Sequence, residues 1–326
     1  MSHLTAATVV LSALLFAPSN ASPALHARDW HSQSIAPFGF SSSTTASIPA
    51  SSSTSTSSGC PAVWSTVATD LKSAFTGCNV LARNAIRFAF HDAAGYSSKT
   101  PYYAPATGGA DGSLLLSSDE IKRQIEAPLQ RYQPWLLGKY NKYHSQGVGA
   151  ADLVQFAGNI GIRSCNGGPI VRTLVGRQDT STAAPEGMLP EAFGQGSDYD
   201  TLVQLFLDKG FSATDLAALI GAHTVSQAFA EQGNGIPPGG PQDSTPTQWD
   251  TTYYKELQSD PRGVYHFQSD VNLGNQTTAV GMQMARFAQD EEAFDAAFAD
   301  AMGRMNLLGI SEEVSSGFAD CTSLVQ

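Results

Sequence analysis

Arg87 and His91 stand four residues apart in the run Ala85-Ile86-Arg87-Phe88-Ala89-Phe90-His91-Asp92, so a helix there projects both from one face bordered by apolar and aromatic side chains. A guanidinium is costly to bury unless it stabilises an anion. A histidine beside it is disfavoured as imidazolium, which keeps the ring available as a general base. A second histidine, His223, lies inside the apolar stretch from Leu216 to Val225, where a buried imidazole needs a hydrogen-bonded partner or a metal. Asp270, in Phe267-Gln268-Ser269-Asp270-Val271, supplies a carboxylate that would make such a ring more basic and fix its orientation. Sequence spacing alone does not bring Asp270 to His223. Two oxygen-rich loops complete the chemical inventory. Asp92, Asp111 and Ser113 form one set, and Thr224, Asp243, Thr245 and Asp250 the other. Both resemble the ligands of a hard cation, calcium first, although Asp and Thr clusters also serve as plain turn formers.

The elements that must position these residues read as helices. Apolar residues recur at helical spacing in Val63 to Phe75, Asn79 to His91, Asp152 to Ile162, Tyr199 to Lys209, Asp215 to Gln227 and Gln283 to Met305, while strand alternation is scarce. Ser212 with Asp215 three residues on predicts a helix start just ahead of Leu219-Ile220-Gly221-Ala222-His223. Two long loops, 92–113 and 233–252, require anchoring by function or by ions. No repeat period is present.

Composition narrows the functional classes. The 326 residues carry 18 Lys and Arg against 29 Asp and Glu, a net charge of −11, which argues against nucleic acid and anionic membranes as partners. Phosphate loops, zinc-protease helices, serine-hydrolase elbows and complete dinucleotide fingerprints are all missing. Residues 1–21 read as a signal peptide: Thr8 to Pro18 has the length of its apolar core, too short to span a membrane, and Ser19-Asn20-Ala21 offers a cleavage site. Residues 22–59 read as a Ser/Thr-rich, disordered lead-in, because fourteen of the eighteen positions from Ser41 to Ser58 are Ser or Thr and offer little to bury. Folded structure is expected over 60–326. Cys60, Cys78, Cys165 and Cys321 in a secreted chain predict two disulfides, for which three connectivities exist. Asn275-Gln276-Thr277 is a glycosylation sequon.

Six segments taken in order resemble the plant-type heme peroxidase superfamily, in particular its secreted fungal branch. They are Arg87-Phe88-Ala89-Phe90-His91-Asp92-Ala93, Gly108-Gly109-Ala110-Asp111-Gly112-Ser113, Gly176-Arg177-Gln178-Asp179, Leu189-Pro190, Leu219-Ile220-Gly221-Ala222-His223-Thr224 and Asp243-Ser244-Thr245-Pro246. The resemblance runs from about Cys60 to Cys321. It implies an all-α, two-lobed helical fold clasping heme b between the helices of His91 and His223. It implies a monomeric, secreted enzyme that uses hydrogen peroxide to oxidise small aromatic reductants. By the same resemblance His223 is the proximal iron ligand, Asp270 its hydrogen-bond partner, His91 the distal acid-base, Arg87 the distal cation, and Phe90 packs on the distal heme face. Two calcium ions are implied: a distal one on Asp92, Gly109, Asp111 and Ser113, and a proximal one on Thr224, Asp243, Thr245, the Gln248 carbonyl and Asp250. The implied disulfides are Cys60–Cys321 and Cys78–Cys165.

Departures from the family pattern bear on substrate. Where manganese-oxidising relatives carry two glutamates and an aspartate, this chain has Val80, Asn84 and Phe229, and where lignin-oxidising relatives carry a surface tryptophan it has Ala218. A manganese site and long-range oxidation through that tryptophan are therefore not expected. What remains is one-electron oxidation of small phenols or dyes at the heme edge. Trp64, Trp135 and Trp249 read as core, and Tyr102 and Tyr103 are undecided. Glu126 occupies the place of an Asn that usually accepts a hydrogen bond from the distal histidine; a carboxylate there should raise the affinity of His91 for a proton. Gln242 replaces the ring that usually precedes the proximal calcium aspartate. The competing reading is a heme- and calcium-containing binding or structural protein without efficient peroxide turnover, against which the presence of both Arg87 and His91 argues.

Overall fold

A computed structural model of the chain describes residues 59–99, 108–229 and 236–326. The expected signal peptide, nearly all of the lead-in, and Tyr102 and Tyr103 lie outside the described residues. Helices dominate, and the one sheet among the described residues pairs two-residue strands antiparallel, β1 (Leu174–Val175) and β2 (Ala319–Asp320).

One group of helices consists of α1 (Val63–Ala74), α2 (Val80–Ala93), α3 (Ser113–Leu116), α4 (Gln133–Tyr143) and α5 (Ala150–Ser164), with α2 lying along α5. Asn79 starts α2 by accepting hydrogen bonds from the Leu81 and Ala82 amides. The approach of α5 to α2 depends on glycine: a Cβ at Gly158 would lie 2.5 Å from the Ala89 Cβ, and one at Gly161 would lie 2.7 Å from the Ala82 carbonyl oxygen. The N-terminus of α5 is capped from a distance, since the Asp179 carboxylate accepts from the Ala150 and Ala151 amides at 2.8 and 2.9 Å. Nearby Arg177 is buried, donating to Asp152 of α5 at 2.9 Å and to the Asn306 carbonyl. The motif Gly176-Arg177-Gln178-Asp179 thus ties α5 to the C-terminal segment.

The second group gathers α6 (Tyr199–Leu207), α8 (Thr252–Ser259), α9 (Gln268–Leu273), α10 (Ala279–Phe287) and α11 (Glu291–Met305) around α7 (Ala213–Ile220). Ser212 and Asp215 form a reciprocal capping box at the start of α7. The helix predicted to run on to Gln227 instead tightens into a 3-10 turn over Gly221–Val225. The Tyr254 hydroxyl takes the Ala217 carbonyl oxygen at 2.8 Å, and the Gly221 amide bonds to Ala218 and Leu219 in place of Ala217. A Cβ at Gly221 would lie 2.3 Å from both Phe294 and Tyr254, so the turn needs a glycine there. The span Gln283 to Met305 is also two helices, broken where Asp290 caps α11 by accepting from the Ala293 amide.

The structure pairs Cys60 with Cys321, fastening the segment before α1 to the C-terminal segment after β2, and Cys78 with Cys165, fastening the turn before α2 to the end of α5. Trp64 and Trp249 are buried in the core, and Trp135 is partly buried and packs against it. No helix among the described residues is long and apolar enough to cross a membrane.

Candidate active site

A cavity of about 740 Å³ lies between the two helical groups, with α2 on one side and the end of α7 with its 3-10 turn on the other. Arg87, Phe90 and His91 line it from α2, and His223, Phe267 and Asp270 from the opposite side. The residues singled out in sequence for acid-base and ligand chemistry therefore share one chamber.

His91 is buried, and its Nδ1 lies 2.8 Å from Glu126 Oε2. Glu126 sits on the short 3-10 helix Gln124–Leu129 and is itself 2% exposed, so bulk water does not compete for the contact. Burial pushes the Glu126 carboxyl up, but the charge and hydrogen bond of His91, followed by Arg87 and Arg123, outweigh it and hold the group below its ordinary value. The carboxylate can only accept, so the proton of a neutral His91 resides on Nδ1 and the Nε2 lone pair is left to act as a base. Burial depresses the His91 pKa, Glu126 opposes that shift, and Arg87 reinforces it. The Arg87 guanidinium stands over the Phe229 ring at 5.7 Å, and its Nε is a buried donor with no protein partner. Phe90 stacks on Phe206 and meets the His91 ring edge-on.

Across the cavity, His223 Nδ1 lies 2.7 Å from Asp270 Oδ2. Burial raises the Asp270 carboxyl, yet His223, then Tyr253 and Ser269, hold it below its ordinary value. With Nδ1 occupied, Nε2 is the nitrogen left to ligate a metal. Tyr253, Ser269 and Glu120 were not singled out in sequence. A signal for Tyr253 was available: a tyrosine on the inward face of a helix must find a partner for its hydroxyl.

Behind each histidine lies a cradle of oxygen atoms. The Thr224 hydroxyl is 2.6 Å from Asp243 Oδ2, 3.4 Å from Asp250 Oδ1 and 3.5 Å from the Gln248 carbonyl oxygen, and the Thr245 hydroxyl reaches Asp250 at 3.0 Å. Burial, with the charges of Asp250 and Glu256 adding to it, pushes the Asp243 carboxyl up to about 6. On the other side Asp92 is fully buried, accepting from the Gly112 and Leu114 amides and from Gln155. Burial, then the charges of Asp111 and Glu120, drive the Asp92 carboxyl well above its ordinary value. The Ser113 hydroxyl beside it is buried, between the Asp111 and Glu120 carboxyls. Among the described residues no three acidic, histidine or cysteine side chains form a metal-holding group, so any cation here would rely on hydroxyl and carbonyl oxygens as well.

The positions that bear on substrate are also placed. Val80, Asn84 and Phe229 line the cavity without a carboxylate among them, and Ala218 is buried in α7, away from the surface. Gln242 is buried and donates to the Ser226 hydroxyl. Asn275 is exposed.

Two helical groups with a histidine from each facing a shared chamber, and a carboxylate behind each histidine, make a site suited to a metal-bearing cofactor. The family model described as Peroxidase matches residues 67–290, and the chain belongs to that family, the plant-type heme peroxidase superfamily. Manganese peroxidase 3 of Phlebia radiata is 29% identical over 271 residues, 76% of this chain and 71% of its own. A protein named Peroxidase from Arthromyces ramosus is 29% identical over 301 residues, 85% of this chain and 78% of its own. L-ascorbate peroxidase 3 of Arabidopsis thaliana is 30% identical over 244 residues, 74% of this chain and 79% of its own. The chain is a heme peroxidase, an oxidoreductase that works with hydrogen peroxide. The chamber fits heme: its volume suits a large flat ligand, an imidazole stands on either side, and the unpartnered Arg87 Nε offers a donor to an incoming group.

Proposed function

We propose that the chain is a secreted peroxidase whose domain spans residues 60–326 and which oxidises small phenolic or dye-like reductants, one electron at a time, at the edge of heme b held by His223. The observation that carries this reading is the pair of carboxylate–histidine contacts lining one cavity, Glu126–His91, which is buried, and Asp270–His223, which is partly buried. Heme held here by His223 would supply a redox-active iron for the reaction with peroxide. The chain supplies the rest. His91 Nε2 takes a proton from hydrogen peroxide and returns it to the departing oxygen, with Glu126 holding the ring in that tautomer. Arg87 stabilises the negative charge that develops as the O–O bond breaks. Phe90 bounds the distal side, and Asp270 increases the electron density of the His223 ring.

Manganese appears in the name of the Phlebia relative, but Val80, Asn84 and Phe229 give Mn(II) no anionic ligand at the matching positions. Steady-state turnover with a phenol, a bulky non-phenolic aromatic and Mn(II) tests this choice. Phenol oxidation is expected to dominate, and efficient Mn(II) oxidation would refute it.

Glu126 gives the reaction a predictable acid limb. The carboxylate favours the imidazolium form of His91, so Glu126→Gln should lower the pH at which His91 gains its proton. Stopped-flow mixing with peroxide across mildly acid pH should therefore place the fall in rate at lower pH in the variant; an unmoved profile refutes the role.

The two cradles are read as calcium sites, distal on Asp92, Gly109, Asp111 and Ser113, and proximal on Thr224, Asp243, Thr245, Gln248 and Asp250. Asp92 follows His91 and Thr224 follows His223, so each ion would brace the end of a segment carrying a reactive histidine. Chelation should lower the thermal midpoint and slow the peroxide reaction, and added calcium should restore both. Each site is worth roughly 2.7 kcal/mol at about a hundredfold excess of calcium over Kd. The two disulfides, the signal-peptide-like sequence of residues 1–21 and the exposed sequon at Asn275 support secretion with a glycan at that position.

A further inference from the structure

Asp270 has more than one partner, and the second shares an oxygen with the first. His223 Nδ1 lies 2.7 Å from Oδ2 of Asp270, and the Tyr253 hydroxyl donates to that same Oδ2. Ser269 donates to the other oxygen, Oδ1, at 3.0 Å. Asp270 and Tyr253 are both buried, Tyr253 completely, so no solvent dilutes the bond between them, while His223 is partly exposed. The Tyr253 ring also meets the His223 ring edge-on, with centroids 5.7 Å apart. Burial, with the charge of Asp270 adding to it, holds the Tyr253 hydroxyl well above its ordinary pKa, so it remains a protonated donor.

A carboxylate oxygen that accepts two hydrogen bonds offers less charge to each donor than one that accepts a single bond. We propose that Tyr253 is a positioning residue whose hydroxyl draws charge from Asp270 and thereby limits the imidazolate character of His223, raising the reduction potential of an iron bound there. The inference rests on the reading that His223 holds iron. Tyr253 reaches that iron only through Asp270 and His223. The phenol is also a structural hydrogen bond, so packing and stability would change on its loss under either account. The electronic consequence at iron separates them.

The test compares heme-loaded wild type, Tyr253→Phe and Asp270→Asn by spectroelectrochemical titration of the ferric/ferrous couple and by the Fe–His stretching band of the ferrous protein. Tyr253→Phe retains the ring and its packing. It should move the ferric/ferrous equilibrium about tenfold toward ferric, about 59 mV for a one-electron couple, and raise the Fe–His frequency. Asp270→Asn removes the carboxylate and should move both readouts in the opposite direction. Tyr253→Phe with wild-type potential and stretch, beside an Asp270→Asn that shifts both, overturns the inference and leaves the ligand reading intact. If neither variant shifts either readout, the assignment of His223 as iron ligand fails, and the inference fails with it.

Discussion

Replacing His91 by leucine is expected to slow the reaction with hydrogen peroxide by about 10²- to 10⁴-fold, the range contributed by a positioned general acid-base. Leucine matches the apolar neighbours of the ring and leaves His223 and Asp270 on the far wall untouched, so heme should remain bound. The loss would be confined to proton movement. The Glu126 carboxylate would then face an aliphatic side chain, and with its main partner gone burial should drive it toward the neutral form. Stopped-flow absorbance after mixing with peroxide measures the rate directly. A His91→Leu protein that reacts within tenfold of wild type would remove His91 from the proposed chemistry.

The second large effect concerns stability. Arg177→Met is expected to destabilise the fold by about 3–5 kcal/mol, because it leaves the buried Asp152 carboxylate without its counter-charge. The side chains of Arg177 and Asp152 are 1% and 9% exposed, so solvent cannot take over the lost partner. Arg177 also bridges to the Asn306 carbonyl through Nε and Nη2, and its loss leaves the Asn306–Asn159 side-chain hydrogen bond to hold the C-terminal end of α11 to α5. Urea unfolding measures the difference. Adding Asp152→Asn removes the stranded charge and keeps an acceptor for one of the two amides, Gly176 and residue 177, that donate to separate Asp152 oxygens, and should recover part of the loss. A single variant as stable as wild type would mean that the pair contributes nothing net.

Much of this architecture was legible in the chain because it is written in local patterns. The Arg87/His91 spacing lies on a helix with Asn79 as its cap, and the Ser212/Asp215 signature forms its capping box. The features that escaped depend on distant partners. The end of α7 is set by the hydroxyl of Tyr254, far along the chain, which takes the Ala217 carbonyl. The start of α5 is capped by Asp179 from beyond its own C-terminus. Apolar periodicity continues across the break before α11 because helices on both sides of it pack on α7, so the pattern has no gap to betray Asp290. Within the site, the motifs placed His91 and His223, whereas the sharing of one Asp270 oxygen by His223 and Tyr253 required three-dimensional proximity. The same holds for Glu120 beside Asp92.

The measurement that tests the central claim most directly is the absorption spectrum of the purified, heme-loaded protein before peroxide, after one equivalent of hydrogen peroxide, and again after a simple phenol. The account predicts a Soret band that shifts on peroxide addition and returns when the phenol is added, as the stored oxidising equivalents pass to the reductant. A Soret band that ignores peroxide would contradict it, since heme would then sit in the cavity without the proton transfer assigned to His91 and the charge stabilisation assigned to Arg87.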